Sequence, residues 1–155
     1  MDSYKLDQTD IKILNLLQAD GQLTNRELAK HTHRTHNPIN ERVARLKKLG
    51  YIIKTVAIVD LKKVRDFFTA YPLIQLKDHH EETFLAFQKM VEQHTEILEC
   101  NHIMGEFDFI LKIMVSSSND YNRFLRENIS PLTYISKVQS FPVLAEIKKE
   151  TGREL

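Results

Sequence analysis

The 155-residue sequence predicts an α+β protein in which a helical N-terminal part precedes a part that alternates strands and helices. Apolar residues recur every three or four positions up to Leu49, which is typical of amphipathic helices. From about residue 69 onward, short β-branched or aromatic runs alternate with two further helical stripes. The N-terminal part is also locally basic: Thr24–Gly50 holds seven Lys or Arg against two acidic residues, whereas the whole chain has a net charge of +1.

The composition limits the function classes that the chain can serve. The hydrophobic fraction of 42% is that of a globular protein, no apolar run approaches the ~20 residues that span a bilayer, and the N-terminus is polar and acidic. The single cysteine, Cys100, excludes an intrachain disulfide, and together these features predict a cytoplasmic protein with no membrane partner. The sequence contains no Gly-rich phosphate loop, nucleophile elbow or HExxH motif, so we expect neither an enzyme nor a bound cofactor.

Two capped helices are predicted in the N-terminal part. Asp7 and Asp10 place acid where a helix N-terminus has free N–H groups, and the apolar stripe that follows ends before Asp20-Gly21. Thr24-Asn25-Arg26-Glu27 is a capping box, with a hydroxyl residue at the N-cap and Glu three positions later. This second helix is short, and we expect residues 31–34 to form the turn after it.

A third helix is predicted from Thr35, its N-cap, to Leu49, where the following glycine ends it. Its aliphatic residues recur at i, i+4 and i+7 and should pack on the first two helices: Ile39, Val43 and Leu46. The opposite side is polar and basic. Three helices of which the last is aliphatic inside and basic outside predict a helix-turn-helix unit that binds DNA.

The second part of the chain predicts the order β-α-β-β-α-β, which is the ferredoxin-like arrangement. The predicted strands lie near residues 69–77, 97–104, 108–115 and 135–147, and the predicted helices cover residues 81–94 and 119–128. Between the two parts, Thr55–Val59 is β-branched and forms either a strand or an extended connector. We therefore predict a helix-turn-helix domain at residues 1–55, a hinge at 56–66 and a ferredoxin-like domain at 67–155.

One strand of the second domain is apolar on both faces. Side chains alternate along a strand, so Ile110 and Met114 lie on the face away from Phe109 and Leu111. The two helices of a ferredoxin-like domain cover only one face of its sheet. Another subunit's sheet is the simplest cover for the second face, because burial gains about 25 cal/mol per Å² of apolar surface. The pattern therefore predicts a homodimer that pairs sheet on sheet.

Short motifs follow one another in a fixed order along almost the whole chain. In the first part they are Leu6-Asp7-x-x-Asp10-x-x-Ile13-Leu14-x-x-Leu17, Asp20-Gly21-Gln22-Leu23-Thr24, Glu27-Leu28-Ala29, Glu41-Arg42-Val43-x-Arg45-Leu46 and Gly50-Tyr51-Ile52. In the second part they are Leu98-Glu99-Cys100 and Gly105-Glu106-Phe107-Asp108-Phe109. Their joint spacing resembles that of the leucine-responsive regulatory protein (Lrp/AsnC) family of bacterial transcription regulators.

The resemblance implies a winged-type helix-turn-helix joined by an extended hinge to a ferredoxin-like effector and assembly domain. It also implies dimers that assemble into octamers, and a small effector, commonly an amino acid, bound between subunits near the turn Gly105–Asp108. Two places depart from the family pattern. His33-Arg34 stands where Gly and an aliphatic residue are usual. Phe141-Pro142-Val143 occupies a region that lines the effector site in relatives, and Pro142 removes a backbone donor there.

The candidate DNA contacts divide by chemistry. Short or planar polar side chains near a helix N-terminus suit base edges, whereas Arg and Lys farther along suit phosphates, which supply salt-dependent affinity. Arg42 lies at the edge of the aliphatic stripe and is either a phosphate contact or a structural ion pair with Asp20 or Glu27. We predict base readers at His36, Asn37 and Asn40. The full set predicted to contact double-stranded DNA is Arg34, Thr35, His36, Asn37, Asn40, Glu41, Arg42, Arg45, Lys47 and Lys48.

The candidate effector site follows from the resemblance and comprises Met104, Gly105, Asp108, Phe141, Pro142 and Val143. The Asp108 carboxylate, at the start of a strand, either receives the ammonium group of an amino acid or caps the turn. A metal site is a weaker interpretation of His94, Cys100 and His102, because zinc sites use four ligands at recognisable spacing. We expect no metal and interpret Cys100 as a small buried hydrophobic residue.

The leading prediction is a sequence-specific DNA-binding transcription regulator that a small effector, such as an amino acid, modulates. The alternative is an architectural DNA-binding protein of the nucleoid that responds to no effector. A small enzyme on a ferredoxin-like fold is a third interpretation, which the missing catalytic motifs disfavour. The oligomer expected for the leading function is a dimer or an octamer.

Overall fold

The computed structural model describes residues 4–150 and 152–155. The chain forms two compact units: the first comprises Met1–Ile58 together with Ile147–Leu155, and the second comprises Val59–Glu146. The predicted ferredoxin-like domain extended to Leu155, whereas the residues after 146 group with the first unit. There the side chains of Gln18 and Asn15 accept backbone N–H groups of the C-terminal tail, each at 3.0 Å.

Three helices form the first unit: α1 (Gln8–Ala19), α2 (Asn25–Thr32) and α3 (His36–Lys48). Both predicted N-terminal caps are confirmed as reciprocal capping boxes, Asp7 with Asp10 on α1 and Thr24 with Glu27 on α2. Helix α2 continues to Thr32, so the turn before α3 is shorter than predicted. The helices enclose a small aliphatic core, and its fully buried members are Ile13, Leu28, Ile39 and Leu46.

The connector after α3 is extended and exposed. Residues Thr55–Val59 pair with no strand in the described part of the chain, which decides between the two predicted alternatives in favour of an extended connector. A single 3-10 turn follows at Leu61–Lys63. Within residues 4–150 and 152–155, no helix has the length and apolarity that a bilayer crossing requires.

The second unit has the predicted β-α-β-β-α-β order. Its elements are β1 (Phe68–Leu76), α4 (Glu81–Gln93), β2 (Ile97–His102), β3 (Phe109–Val115), α5 (Ser118–Phe124) and β4 (Ile135–Pro142). The sheet order is β2-β3-β1-β4, and every neighbouring pair is antiparallel. Helix α5 passes into a π-helical turn at Leu125–Ile129. Strand β4 ends earlier than predicted, because its partner β1 begins at Phe68 and offers no backbone to residues beyond Val143.

The two faces of the sheet differ in burial. Phe109, Leu111 and Ile113 of β3 are buried in one core cluster with Phe87 of α4 and Phe124 of α5. The alternate residues of β3 lie on the other face, as predicted. This second face carries half-buried Leu73, Ile110 and Met114, and Phe141, which is 47% exposed. The chain itself therefore leaves an apolar sheet face incompletely covered.

Candidate DNA-binding surface and effector turn

Helix α3 and the residues just before it present the predicted polar and basic surface. Of the ten predicted DNA contacts, eight are exposed, and only Asn40 and Arg42 are half-buried. The opposite side of the helix holds Ile39, Val43 and Leu46 in the core, as the i, i+4, i+7 spacing predicted. This arrangement frees polar and cationic groups at the N-terminal end of α3 and a run of cations at its C-terminal end. Helices that read DNA in the major groove have this distribution.

The turn between α2 and α3 is built around His33. Its φ of 52° lies in the left-handed region, and it is the one non-glycine residue with a positive φ in the described part of the chain. Its N–H donates to the Lys30 carbonyl, and the Arg34 N–H donates to the Ala29 carbonyl at 3.0 Å, which closes the end of α2. This left-handed backbone is one that glycine, which the resemblance leads us to expect at this position, adopts freely. Arg34 is exposed, so the position where that family carries an aliphatic residue is not a core position here.

A chain of polar contacts crosses from α2 to the start of α3. The Asn25 amide nitrogen donates to Asn40 Oδ1 at 2.6 Å, and Asn40 Nδ2 lies 2.9 Å from His36 Nε2. His36 is exposed and both asparagines are half-buried. Two of the three predicted base readers are therefore held against each other, and Asn25, which the sequence offered only as part of a capping box, joins them.

Arg42 is a structural cation. Its Nη1 donates to Asp7 Oδ2 at 2.6 Å and to Asp10 Oδ1 at 2.8 Å. Of the two predicted alternatives for Arg42, the ion pair is the one that the structure forms, with Asp7 and Asp10 in place of Asp20 or Glu27. A phosphate contact by Arg42 stays a prediction. The physical reason is the packing of α3 on the N-terminus of α1, which brings the guanidinium to two carboxylates that are remote in sequence.

Asp10 is the centre of this network and is fully buried. Its carboxylate accepts the Tyr4 hydroxyl at 2.5 Å and the Asp7 N–H at 3.2 Å, in addition to Arg42. Burial alone raises the pKa of Asp10, but the hydrogen bonds from Tyr4, Arg42 and the Asp7 N–H outweigh it and hold the pKa below its usual range. The same network raises the pKa of Arg42, chiefly through its hydrogen bond to Asp10. Asp10 is therefore held in its charged form at neutral pH.

Arg45 is partly engaged and partly free. Its guanidinium carbon lies 4.4 Å from the centre of the Tyr4 ring, and its Nη2 lies 4.0 Å from Asp10 Oδ1. The side chain nevertheless keeps 43% of its surface exposed. Tyr4 is itself braced by Tyr51, whose hydroxyl donates to the Tyr4 carbonyl at 3.2 Å. Arg45 can thus reach a phosphate from a position that stacking on Tyr4 fixes.

The predicted effector turn lies between β2 and β3. Gly105 has a φ of 133°, a backbone conformation that favours glycine, and Met104 is fully exposed beside it. Asp108 Oδ2 accepts the Leu76 N–H at 2.7 Å, and its Oδ1 lies 2.8 Å from His79 Nε2. The Asp108 side chain is 14% exposed, whereas His79 is 69% exposed. The carboxylate is therefore anchored on one oxygen and has a displaceable partner on the other.

The second half of the predicted effector site does not join the first half within one chain. Phe141 and Pro142 pair with Tyr71 and Ala70 near the start of β1, whereas Asp108 contacts Leu76 at its end. The intervening strand spans about 20 Å at roughly 3.3 Å per residue. The reason is the antiparallel register of β4, which carries its C-terminal end toward the start of β1. The six residues therefore do not form a single pocket within one chain, which agrees with a site shared between subunits, and the effector site stays a prediction.

The residues considered for a metal site have separate surroundings. His94 packs edge-on against Phe124 at 5.2 Å between ring centres, and His102 stacks on Phe109 at 5.1 Å. Cys100 is half-buried, and burial raises the pKa of its thiol. Among residues 4–150 and 152–155, no group of three His, Cys, Asp or Glu side chains is placed to hold a metal ion.

Two family models match the chain, one on its helical N-terminal part and the other on the part that contains the sheet. One, described as the Lrp/AsnC ligand binding domain, matches residues 69–153, and the other, described as winged helix-turn-helix DNA-binding, matches residues 6–53. The first of these covers more than half of the chain. The resemblance drawn from the motifs and the predicted fold class are both confirmed.

Relatives of known identity agree along almost their whole length. The chain is 34% identical over 147 residues to a proline dehydrogenase transcriptional activator of Rhizobium radiobacter, covering 95% of this chain and 94% of that protein. It is 31% identical over 144 residues to the leucine-responsive regulatory protein of Escherichia coli strain K12, covering 93% of this chain and 88% of that protein. Both relatives are transcription regulators.

Solved structures show the same architecture. A transcriptional regulator of Neisseria meningitidis in complex with L-Met superposes with a TM-score of 0.88 at 28% identity, covering 97% of this chain and 96% of that one. An AsnC family transcriptional regulator from Agrobacterium tumefaciens gives the same TM-score and identity and covers 96% of both chains.

Proposed function

The chain belongs to the Lrp/AsnC family and is a DNA-binding transcription regulator, and we propose that α3 is the helix it places in the major groove. The observation that carries this proposal is the surface of α3, which is aliphatic toward the core and exposed, polar and basic elsewhere. Its N-terminal end offers side chains that match base edges. We place its action on chromosomal DNA in the cytoplasm.

The roles on this surface follow from exposure and chemistry. We assign base reading to His36, Asn37 and Asn40, because amides and imidazoles present paired donors and acceptors. Exposed Arg34, Thr35, Glu41, Arg45, Lys47 and Lys48 line the same surface. The cations among them contribute salt-dependent affinity for phosphates. Arg42 instead anchors α3 to the N-terminus of α1 through its ion pairs with Asp7 and Asp10.

We infer that two chains pair through the uncovered face of the sheet. Leu73, Ile110, Met114 and Phe141 supply an apolar surface there that a second copy of the same sheet can bury. A dimer presents two α3 helices, so its operator consists of two related half-sites about one helical turn, roughly 34 Å, or a multiple of it apart. Assembly of such dimers into an octamer is the extension that we expect in this family.

We propose an amino acid as the effector and the Gly105–Asp108 turn as part of its site. The relative from Neisseria meningitidis binds L-Met, and the ligand-binding family model spans residues 69–153. In this chain the Asp108 carboxylate can receive an ammonium group once the exposed His79 yields its place. Because Phe141, Pro142 and Val143 lie at the far end of β1, a second subunit has to supply them. These observations favour an effector-modulated regulator over an architectural protein.

Selection from a random DNA pool tests the DNA-binding proposal. The full chain should enrich a sequence with two-fold symmetry, and Asn40→Ala should lose base preference while it keeps its affinity for random DNA. Light scattering on the same sample should give a dimer or a larger even assembly. Enrichment of no sequence, or a monodisperse monomer at micromolar concentration, contradicts the respective proposal.

Calorimetry with the common amino acids tests the effector site. Wild type should release or absorb heat with at least one of them, and Asp108→Asn should lose that signal. Glu106→Gln is the matched control, since Glu106 lies in the same turn and is held by the exposed Lys137 at 2.7 Å. Heat with none of the amino acids refutes an amino-acid effector. If Asp108→Asn gives the same heat as wild type, the effector site does not include Asp108.

A further inference from the structure

Asn40 is the predicted base reader whose amide is already engaged before DNA arrives. Its Oδ1 accepts from Asn25 Nδ2 at 2.6 Å, and its Nδ2 contacts His36 Nε2 at 2.9 Å. An asparagine amide has two lone pairs on its oxygen and two N–H groups on its nitrogen. One of each is therefore used inside the protein, and one of each remains for a base edge.

We infer that Asn25 is a positioning residue that fixes which way the Asn40 amide faces the DNA, through the hydrogen-bond chain from Asn25 to Asn40 to His36. Asn25 is the first residue of α2, so it lies outside the recognition helix and outside the predicted set of DNA contacts. The inference rests on the proposed base-reading role of α3. It adds a specificity-determining residue that needs no contact with DNA.

The direction of the chain is the one in which Asn25 donates, as its amide is placed in the structure. With Asn25 Nδ2 as donor, Asn40 turns its oxygen toward α2 and its nitrogen toward His36. His36 Nε2 then has to accept, which places the imidazole proton on Nδ1. The free lone pair and the free N–H of Asn40 consequently occupy defined positions. Which of the two lies nearer α2 and which nearer His36 decides which base edge can pair with them.

The same geometry permits a reversed chain when the donor at position 25 is removed. Asn25→Asp keeps the size of the side chain but offers only acceptor oxygens. Asn40 then has to turn its nitrogen toward position 25 and its oxygen toward His36, which must donate from Nε2. Donor and acceptor exchange places at the base edge, so the reversed chain predicts a different preferred base rather than a weaker preference.

Random-pool selection with sequencing measures this on the full chain. Asn40→Ala should lower the preference at its base position by about tenfold, which is the scale of one bidentate contact. Asn25→Ala should lower the preference at the same base position by about threefold or more, because the Asn40 amide is then free to adopt either orientation. Affinity for random DNA and its salt slope should match wild type, because no phosphate contact is lost. Asn25→Asp should select a different base there.

Two controls separate positioning from charge and from folding. Gln22→Glu adds a carboxylate to the exposed loop before α2 and should lower all DNA affinities without changing any base preference. Thermal unfolding of each variant detects loss of fold, and a structural role of Asn25 would lower affinity for selected and random DNA alike. That parallel loss would overturn the inference.

The outcomes also distinguish this inference from the proposed function. Unchanged selection by Asn40→Ala removes Asn40 as a base reader and with it the basis for a positioning role. If Asn40→Ala loses base preference but Asn25→Ala selects the same sequences as wild type, the proposed function stands and the inference is overturned. Relaxation at the same base position in both variants, with an altered preference in Asn25→Asp, supports it.

Discussion

The two ends of α3 are held in opposite ways. In the C-terminal half, which begins at Arg42, this residue and Arg45 meet the buried Asp10 and the Tyr4 ring, and both carboxylate oxygens of Asp10 have internal partners. At the N-terminal end the cap residue Thr35 makes no side-chain hydrogen bond, and the preceding turn contains a left-handed residue. The same helix is thus anchored to the start of α1 by its C-terminal half, whereas its first residues, His36 and Asn37, are exposed.

This contrast teaches how to separate structural from functional charge on one helix. The sequence does not distinguish the roles of Arg42 and Lys48, since both are cations on α3. In the structure Arg42 is paired with two carboxylates, whereas Lys48 is exposed. A cation that is saturated inside the protein stabilises the fold, whereas an exposed one is free for a phosphate. Removing these cations one at a time tests that division, beginning with Arg42.

Arg42→Ala should produce the largest loss of stability. It leaves the buried Asp10 without the cation that is hydrogen-bonded to it, and breaking a buried pair typically costs about 3–5 kcal/mol. We expect the lower end, about 3 kcal/mol, because Arg42 is 26% exposed and water can partly replace it. Urea unfolding measures the change. Lys48→Ala, on the exposed surface of the same helix, should stay within about 0.5 kcal/mol of wild type.

Acid should weaken the anchored half of α3 through the same carboxylates. The pKa of Asp7 is lowered mainly by the Asp10 N–H, and the pKa of Asp10 is lowered against the effect of burial. Their charged forms therefore stabilise the fold above the unfolded pKa, and this stabilisation is lost as the pH falls through the lowered folded values, below about 4. Urea midpoints between neutral and strongly acidic pH should fall less steeply for Asp10→Asn than for wild type. Equal slopes would show that Asp10 does not carry the dependence.

What the sequence could predict depends on how far apart the partners lie. Caps and stripes are local, so Asp7 with Asp10, Thr24 with Glu27, and the buried Ile39 were all predictable from spacing. The order of strands and helices along the second unit followed in the same way from alternation and short runs. Register and strand ends did not, since β4 stops where β1 offers no further backbone.

Contacts between distant residues escaped prediction. Arg42 lies more than 30 positions from Asp7 and Asp10, and nothing in the motif around it indicates which acid it meets. Asn25 and Asn40 are 15 positions apart, and each has a local explanation that hides the contact. Side-chain networks of this kind depend on helix packing angles, which composition and period do not determine.

Arg45→Ala tests a cation that is partly engaged inside the protein and partly exposed. Arg45 stacks on Tyr4 but keeps 43% exposure, so its loss should weaken binding to operator and random DNA alike and reduce the salt slope by about 1. Stability should fall by only about 0.5–1 kcal/mol, the scale of an exposed cation–π contact. Fluorescence anisotropy across a salt series measures both DNA affinities. Unchanged binding to random DNA would place Arg45 with Arg42 as a purely structural cation.

His33→Gly should have the smallest effect, and it should be a gain. His33 adopts a φ of 52°, which costs a side chain of L-chirality roughly 1–2 kcal/mol, whereas glycine adopts it freely. Part of this is offset by the larger backbone entropy that glycine loses on folding, about 0.5–1 kcal/mol, so we expect a net stabilisation near 0.5 kcal/mol. His33→Ala is the matched control, because it removes the imidazole and keeps the Cβ in the same backbone conformation. Urea unfolding should rank glycine above histidine and alanine. Destabilisation by glycine would mean that the exposed imidazole, rather than backbone geometry alone, holds the turn that leads into the DNA-facing end of α3.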